Sequence, residues 1–206
     1  MRFLGTLGLT KVDVLGFSLG GMVAQVMALK RPTLLRRIIL TGTGPEGGVG
    51  VAMDRPELLK IFVDQKMPPG DKLLKLFFEP TESSQSAGRK FVQRLARRTE
   101  DKDTPASAEA AGAQLKALAA LAKSSGEPHA NLRKITQPVL VTNGNNDIMI
   151  PTVNSFTLSA HLPNAQLIIY PDSGHGSLFQ HAGAFASHVS EFLDRVTVSA
   201  DGGTYK

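Results

Sequence analysis

Apolar positions along this chain fall into two textures. Four short runs, at 12–17, 37–41, 139–143 and 166–170, are rich in Val, Ile and Leu and lack in–out alternation. A strand covered on both faces reads this way. Three of the runs are followed by helical patterns, at 19–30, 153–161 and 177–196. Pro32 stops the first of these helices, and Pro151 stands just ahead of the second, where a missing N–H costs nothing. Repeated strand–helix order predicts an α/β fold: a parallel sheet of about four strands, right-handed crossovers and helices on both faces.

The second run breaks that rhythm. Between 42 and 138 there is no convincing strand, and the apolar residues recur at helical spacing: Leu58, Leu59, Ile61 and Phe62; Leu73, Leu74, Phe77 and Phe78; Phe91 to Leu95; Leu115, Leu118 and Leu121. Thr104–Pro105 predicts the start of the last of these helices, with a hydroxyl cap and Pro at the first position. The expected organisation is a core made of 1–43 and 134–198, a helical cap or lid at 44–133, and a frayed polar tail at 199–206.

Composition narrows the classes. The 206 residues are 42% hydrophobic and 20% charged, the texture of an ordinary globular domain. There is no cysteine, which excludes disulfides and thiolate metal sites and fits a cytoplasmic setting. No apolar run approaches the roughly 18 residues of a membrane span, and the N-terminus lacks the marks of a secretion signal. The formal charge is +5. Its densest cluster, Arg89, Lys90, Arg94, Arg97 and Arg98, alternates with Phe91, Val92, Leu95 and Ala96 at helical spacing, which describes a solvated helix face. No aromatic residues are placed there to stack on bases, so no nucleic-acid partner is expected.

Candidate chemistry gathers at the ends of the strand-like runs. Gly16-Phe17-Ser18-Leu19-Gly20-Gly21 leaves a buried strand and opens a helix directly. A serine on so sharp a turn is strained, and side chains two positions to either side are expected to collide, hence the glycines. The turn lifts the Ser18 hydroxyl above the sheet and aims the Leu19 N–H where an oxyanion would form. A serine needs a base. Of five histidines, His129, His161, His181 and His188 lie in polar or helical stretches and read as surface or packing residues. His175, in Asp172-Ser173-Gly174-His175-Gly176, follows the fourth strand at the edge where ligands collect. The acid that orients it is expected to be Asp147, in Asn143-Gly144-Asn145-Asn146-Asp147 after the third strand, with Asp172 as the alternative.

The order serine, aspartate, histidine on successive strand ends, carried by GFSLGG, NGNND and PDSGH, resembles the α/β-hydrolase superfamily over nearly the whole chain. Within it the sequence is similar to small serine esterases, cofactor-free haloperoxidase/perhydrolases and enol-lactonases. The resemblance implies ester or related acyl hydrolysis through an acyl-enzyme. In that scheme Ser18 attacks, His175 shuttles the proton, Asp147 orients His175, and no metal or organic cofactor takes part. A serine in the elbow argues against the dehalogenases and epoxide hydrolases that place aspartate there. Phe17, Met22, Ile148 and Met149 would contribute to an apolar acyl site for a small-molecule substrate.

Members of that superfamily carry further strands ahead of the elbow strand, and a loop that gives a second oxyanion N–H. This chain begins near the end of the preceding helix, at Phe3, Leu4, Leu7 and Leu9. The expectation is a partial fold that keeps the Leu19 half of the oxyanion hole. Its strand 12–17 would be an apolar edge, open to a second copy of the chain in a homo-oligomer. A non-catalytic remnant or interaction domain of the same fold is the alternative to an enzyme.

Overall fold

A computed structural model describes residues 2–52, 55–123, 126–195, 197–198 and 204–205. Its centre is a four-stranded parallel sheet in sequential order: β1 (Val12–Phe17), β2 (Leu35–Thr41), β3 (Val139–Gly144) and β4 (Ala165–Tyr170). Every residue of β3 and all but one of β2 are buried, whereas the outer strands β1 and β4 are mostly half-buried. The unbroken apolar runs of the middle strands follow from that double coverage. Strand β2 starts two residues before the expected 37, because Leu35 already pairs with Val12. The β1–β2 register slips between Val12 and Val14.

Side chains leave the central strands alternately to two faces. Ile38, Leu40, Val139 and Val141 meet Ala24 and Ala28 of α2 (Leu19–Lys30) and Leu158 of α7 (Val153–His161). Ile39 and Leu140 point the other way, onto Phe192 of α9 (Ala182–Asp194), with Phe185 and Val189 beside it. The helix expected over 177–196 is therefore two, α8 (Ser177–Gln180) and α9, broken at His181. That residue donates from Nε2 to Pro171 O at 3.0 Å and stacks on Tyr170, contacts that hold it out of the helical path.

Between β2 and β3 the described residues contain four α-helices and no strand: α3 (Pro56–Val63), α4 (Pro69–Phe77), α5 (Glu82–Ala96) and α6 (Ala108–Ala122). Leu58 and Leu76 of this insert join Met22, Val51, Met149 and Ile150 in a separate apolar cluster. Helix α6 starts later than Thr104–Pro105 suggested. Ser107 caps it instead, accepting the Ala110 N–H at 3.1 Å.

At the N-terminal side, α1 (Arg2–Thr6) precedes β1, and Phe3, Leu7, Leu9 and Leu15 are exposed beside that edge. Of the tail expected to fray, 199–203 and 206 lie outside the described residues, and β6 (Thr204–Tyr205) pairs antiparallel with β5 (Thr197–Val198). Among the described residues no helix is long and apolar enough to cross a membrane.

One ion pair ties the outer strand to its neighbour: Arg36 donates to both carboxylate oxygens of Asp13, at 2.9 Å from Nε and 2.5 Å from Nη2. Both side chains keep a quarter to a third of their surface in water. Solvent screening therefore limits the pair to under about 1 kcal/mol. Asp13→Ala is expected to lower the thermal midpoint only slightly, and a loss above about 3 kcal/mol, far beyond that range, would mean the pair holds β1 in the sheet.

Candidate active site

Ser18 sits between β1 and α2 with φ 53° and ψ −123°, a conformation that costs a non-glycine residue roughly 1–3 kcal/mol. It is fixed at both ends: Ser18 N–H donates to Thr41 O at 3.0 Å, and Ser18 O accepts from Gly21 N–H at 2.9 Å. The collisions expected on both sides of the serine are only partly present. A Cβ on Gly16 would lie 2.4 Å from Gly20 O, and one on Gly21 would lie 2.5 Å from Thr43 Cγ2. A Cβ on Gly20 would meet nothing within 4 Å, because it points out of the first turn of α2. Gly16 and Gly21 are thus the sterically required pair. Leu19 is the first residue of α2, so its N–H has no intrahelical acceptor.

The loops after β3 and β4 meet beside this turn. His175 is fully buried, and its Nδ1 lies 2.8 Å from Asp147 Oδ2. A carboxylate only accepts, so Nδ1 carries the proton and Nε2 is left with a lone pair. That Nε2 is buried and has no hydrogen-bond partner among the described residues. Asp147 is held independently of the histidine, since its Oδ1 accepts the N–H groups of Met149 at 2.8 Å and Ile150 at 2.9 Å.

The asparagines ahead of the acid knit the two loops together. Asn145 Oδ1 accepts Ser173 N–H at 3.1 Å, and Asn146 N–H donates to Ser173 O at 3.2 Å. Asp172, the alternative acid, faces elsewhere. Its carboxylate accepts the hydroxyls of Ser83 at 2.5 Å and Thr81 at 2.7 Å, from the start of α5. Those two hydroxyls, with a smaller attraction from His181, hold the Asp172 carboxyl below the usual carboxylate range.

The other histidines have packing partners. His129 stacks on His161 at 4.3 Å between centroids, and burial, with His161 and Arg133 nearby, lowers its pKa. His188 Nδ1 lies 2.9 Å from the Tyr170 hydroxyl. Of the residues expected to shape an apolar acyl site, Phe17 lies against the His175 ring at 4.8 Å, and Met22 and Met149 are buried in one cluster. Ile148 is 38% exposed and lies outside that cluster.

Two residues at the site carry no sequence signal of their own. Gly42, at φ +55°, passes so close to the imidazole that a Cβ there would lie 3.2 Å from His175 Nδ1. Phe77, at the end of α4, sets its ring edge-on to His175 at 5.2 Å, and its carbonyl accepts Gly176 N–H at 2.8 Å. Gly42 is one of 20 glycines, and Phe77 reads as one more apolar residue on a helical stripe.

Comparison with known proteins agrees with this architecture. The family model described as "alpha/beta hydrolase fold" matches residues 2–182. A 2-hydroxy-6-oxononadienedioate/2-hydroxy-6-oxononatrienedioate hydrolase of Cupriavidus pinatubonensis is 31% identical, over 92% of this chain and 64% of its own. A pimeloyl-[acyl-carrier protein] methyl ester esterase of Nitrosomonas europaea is 26% identical, over 86% of this chain and 69% of its own. The chain thus spans about two thirds of the length of these curated relatives. Among solved structures, an alpha/beta hydrolase fold protein from Chitinophaga pinensis superposes with a TM-score of 0.85 at 40% identity, covering 93% of this chain and 68% of that one.

Proposed function

This chain belongs to the α/β-hydrolase fold family, and from that premise we propose that it is a serine hydrolase cleaving a carboxylic ester or related acyl substrate. The observation that carries the reading is the buried His175–Asp147 pair at 2.8 Å, with the imidazole packed on Phe17, the residue before a serine held at φ 53° on a strand–helix turn. Likeness to an esterase and to hydrolases of other substrates supports the reaction class and leaves the acyl group open.

The chemistry follows from the proton positions. Asp147 keeps the His175 proton on Nδ1, so Nε2 accepts the Ser18 hydroxyl proton as Oγ bonds to the acyl carbon. Nε2 has no hydrogen-bond partner among the described residues; such catalytic contacts are commonly open in the free enzyme and close on the substrate. The carbonyl electron pair moves to oxygen, which the Leu19 N–H and the N-terminus of α2 stabilise. As the tetrahedral species collapses, the proton on Nε2 passes to the leaving alcohol and Ser18 is left acylated. Water then repeats the sequence: His175 removes its proton, the acyl carbon takes the oxygen, and Ser18 Oγ leaves with the proton. The helical insert caps this edge, with Phe17 and Phe77 forming an apolar wall beside the imidazole.

Labelling tests the reading directly. A fluorophosphonate, which phosphonylates an activated serine and stops there, is expected to modify the chain once, with the added mass on the peptide holding Ser18. Labelling of another residue, or none, would sink the proposal.

A further inference from the structure

The aspartate that does not serve as the acid occupies an unusual position. Asp172 has φ +47°, a left-handed conformation in which a non-glycine residue is strained. It lies three residues before His175, yet its carboxylate leads to the insert and its carbonyl to α8. Oδ1 and Oδ2 accept the Thr81 and Ser83 hydroxyls at the start of α5, and Asp172 O accepts Gln180 Nε2 at 2.6 Å. Gln180 Oε1 in turn accepts the Ser84 hydroxyl at 2.7 Å, and Ser84 Oγ accepts Glu79 N–H at 2.9 Å. Glu79 Oε2 continues the chain to Asn146 Nδ2 at 2.9 Å, in the loop that carries Asp147. Just upstream, Phe77 O holds Gly176 N–H, and the Phe77 ring meets His175 edge-on.

We propose that Asp172 is a positioning residue for the hydrolysis described above, a latch that fastens the α4–α5 junction to the histidine loop so that Phe77 holds His175 in line with Ser18. The physical reason lies in how differently the two partners of the pair are anchored. Asp147 is fixed by amides of its own loop, Met149 and Ile150. On its own loop His175 is flanked by Gly174 and Gly176, which restrain the backbone least. To the ties at Ser173 the insert adds a restraint on Gly176 and the imidazole through Phe77, and Asp172 fastens the insert where the two meet. Since the Asp172 carboxyl is held below its ordinary range, the latch is complete above the ordinary carboxylate pKa of about 3.9 and opens only as pH falls through the lower value. It therefore stays closed across neutral pH.

The inference rests on the hydrolase reading for its consequence, but the latch itself is tested without turnover. Asp172→Gly removes the carboxylate and relieves the left-handed strain, so the variant folds. Asp172→Asn keeps one carbonyl acceptor and tolerates the same backbone. In the 206-residue chain, the Gly176 amide is expected to exchange with deuterium on the order of tenfold faster in Asp172→Gly, and at an intermediate rate in Asp172→Asn. With a short-chain aryl ester, kcat falls about 10- to 100-fold in Asp172→Gly with KM nearly unchanged, because a displaced base slows the chemical step. Asp172→Asn recovers part of that loss. Ser83→Ala shows a smaller loss that does not add to that of Asp172→Gly, as required of two residues in one contact. Unchanged Gly176 exchange in Asp172→Gly overturns the latch whatever the activity. Faster exchange with unchanged kcat overturns its positioning role. An unaltered chain without Ser18-dependent turnover defeats the hydrolase reading and the positioning role, while the exchange result still decides whether the latch exists.

Discussion

Ser18→Ala is expected to lower kcat on a short-chain aryl ester by about 10⁶-fold, and Asp147→Asn by about 10⁴-fold. Under the proposed mechanism, the first follows from loss of the atom that would form the acyl bond. The second follows from the hydrogen bonds around Asp147. Its Oδ1 accepts two backbone N–H groups, from Met149 and Ile150, so an asparagine there turns its carbonyl oxygen toward them. The Nδ2 group then faces His175 Nδ1 and needs an acceptor. His175 shifts its proton to Nε2, where it can no longer accept one from Ser18. The side-chain volume is almost unchanged and the pair is buried, so circular dichroism and the thermal midpoint should move far less than the rate. Steady-state kinetics with both variants checks this. An Asp147→Asn chain within tenfold of the unaltered rate would mean that another group orients the histidine.

The second large effect is expected at Gly144, the last residue of β3. A Cβ there would lie 2.1 Å from Ser173 O and 2.4 Å from Gly174 O. Both obstacles are backbone, so no rotamer change relieves the overlap and the histidine loop must move away. Gly144→Ala is therefore expected to cost about 3 kcal/mol of stability, the upper part of the overpacking range. It should also cost on the order of 10²-fold in kcat, since a shift of about 1 Å at the base is enough. Gly183→Ala is the control. That glycine lies in α9 with nothing within 4 Å of its missing Cβ, and alanine there should be neutral or stabilising by up to about 1 kcal/mol. Denaturant unfolding of both variants, with kcat measured in parallel, separates loop displacement from a general effect of adding a methyl group. Equal stability for the two would show that the loop accommodates the methyl at no cost.

Strands β1 to β4 and helices α2 and α7 follow from short-range rules. Continuous Val, Ile and Leu runs signal double coverage, Pro32 and Pro151 punctuate the helices, and strand–helix repetition fixes the parallel order. Ser18 is legible for the same reason, because the strained turn and its flanking glycines lie within six consecutive residues. Even there, steric need belongs to Gly16 and Gly21 and not to Gly20, a distinction set by Thr43 and by the direction of the first turn of α2.

Local sequence is thus enough for the identity of the strands, the turn that carries Ser18, and the loops that carry Asp147 and His175. Each of these depends on neighbours along the chain. Tertiary structure settled which aspartate meets the histidine, where local position favoured Asp147 and left Asp172 open. Asp147 and Asp172 are both loop residues after parallel strands, and only the crossing of the two loops puts one at 2.8 Å from His175 while the other turns to Thr81 and Ser83. It also decided the roles of Gly42 and Phe77, separated from His175 by 133 and 98 positions, because a glycine with no room for a Cβ and a ring meeting an imidazole across the fold leave no local pattern. Local rules fix where reactive groups stand on the chain, and long-range packing fixes which of them touch.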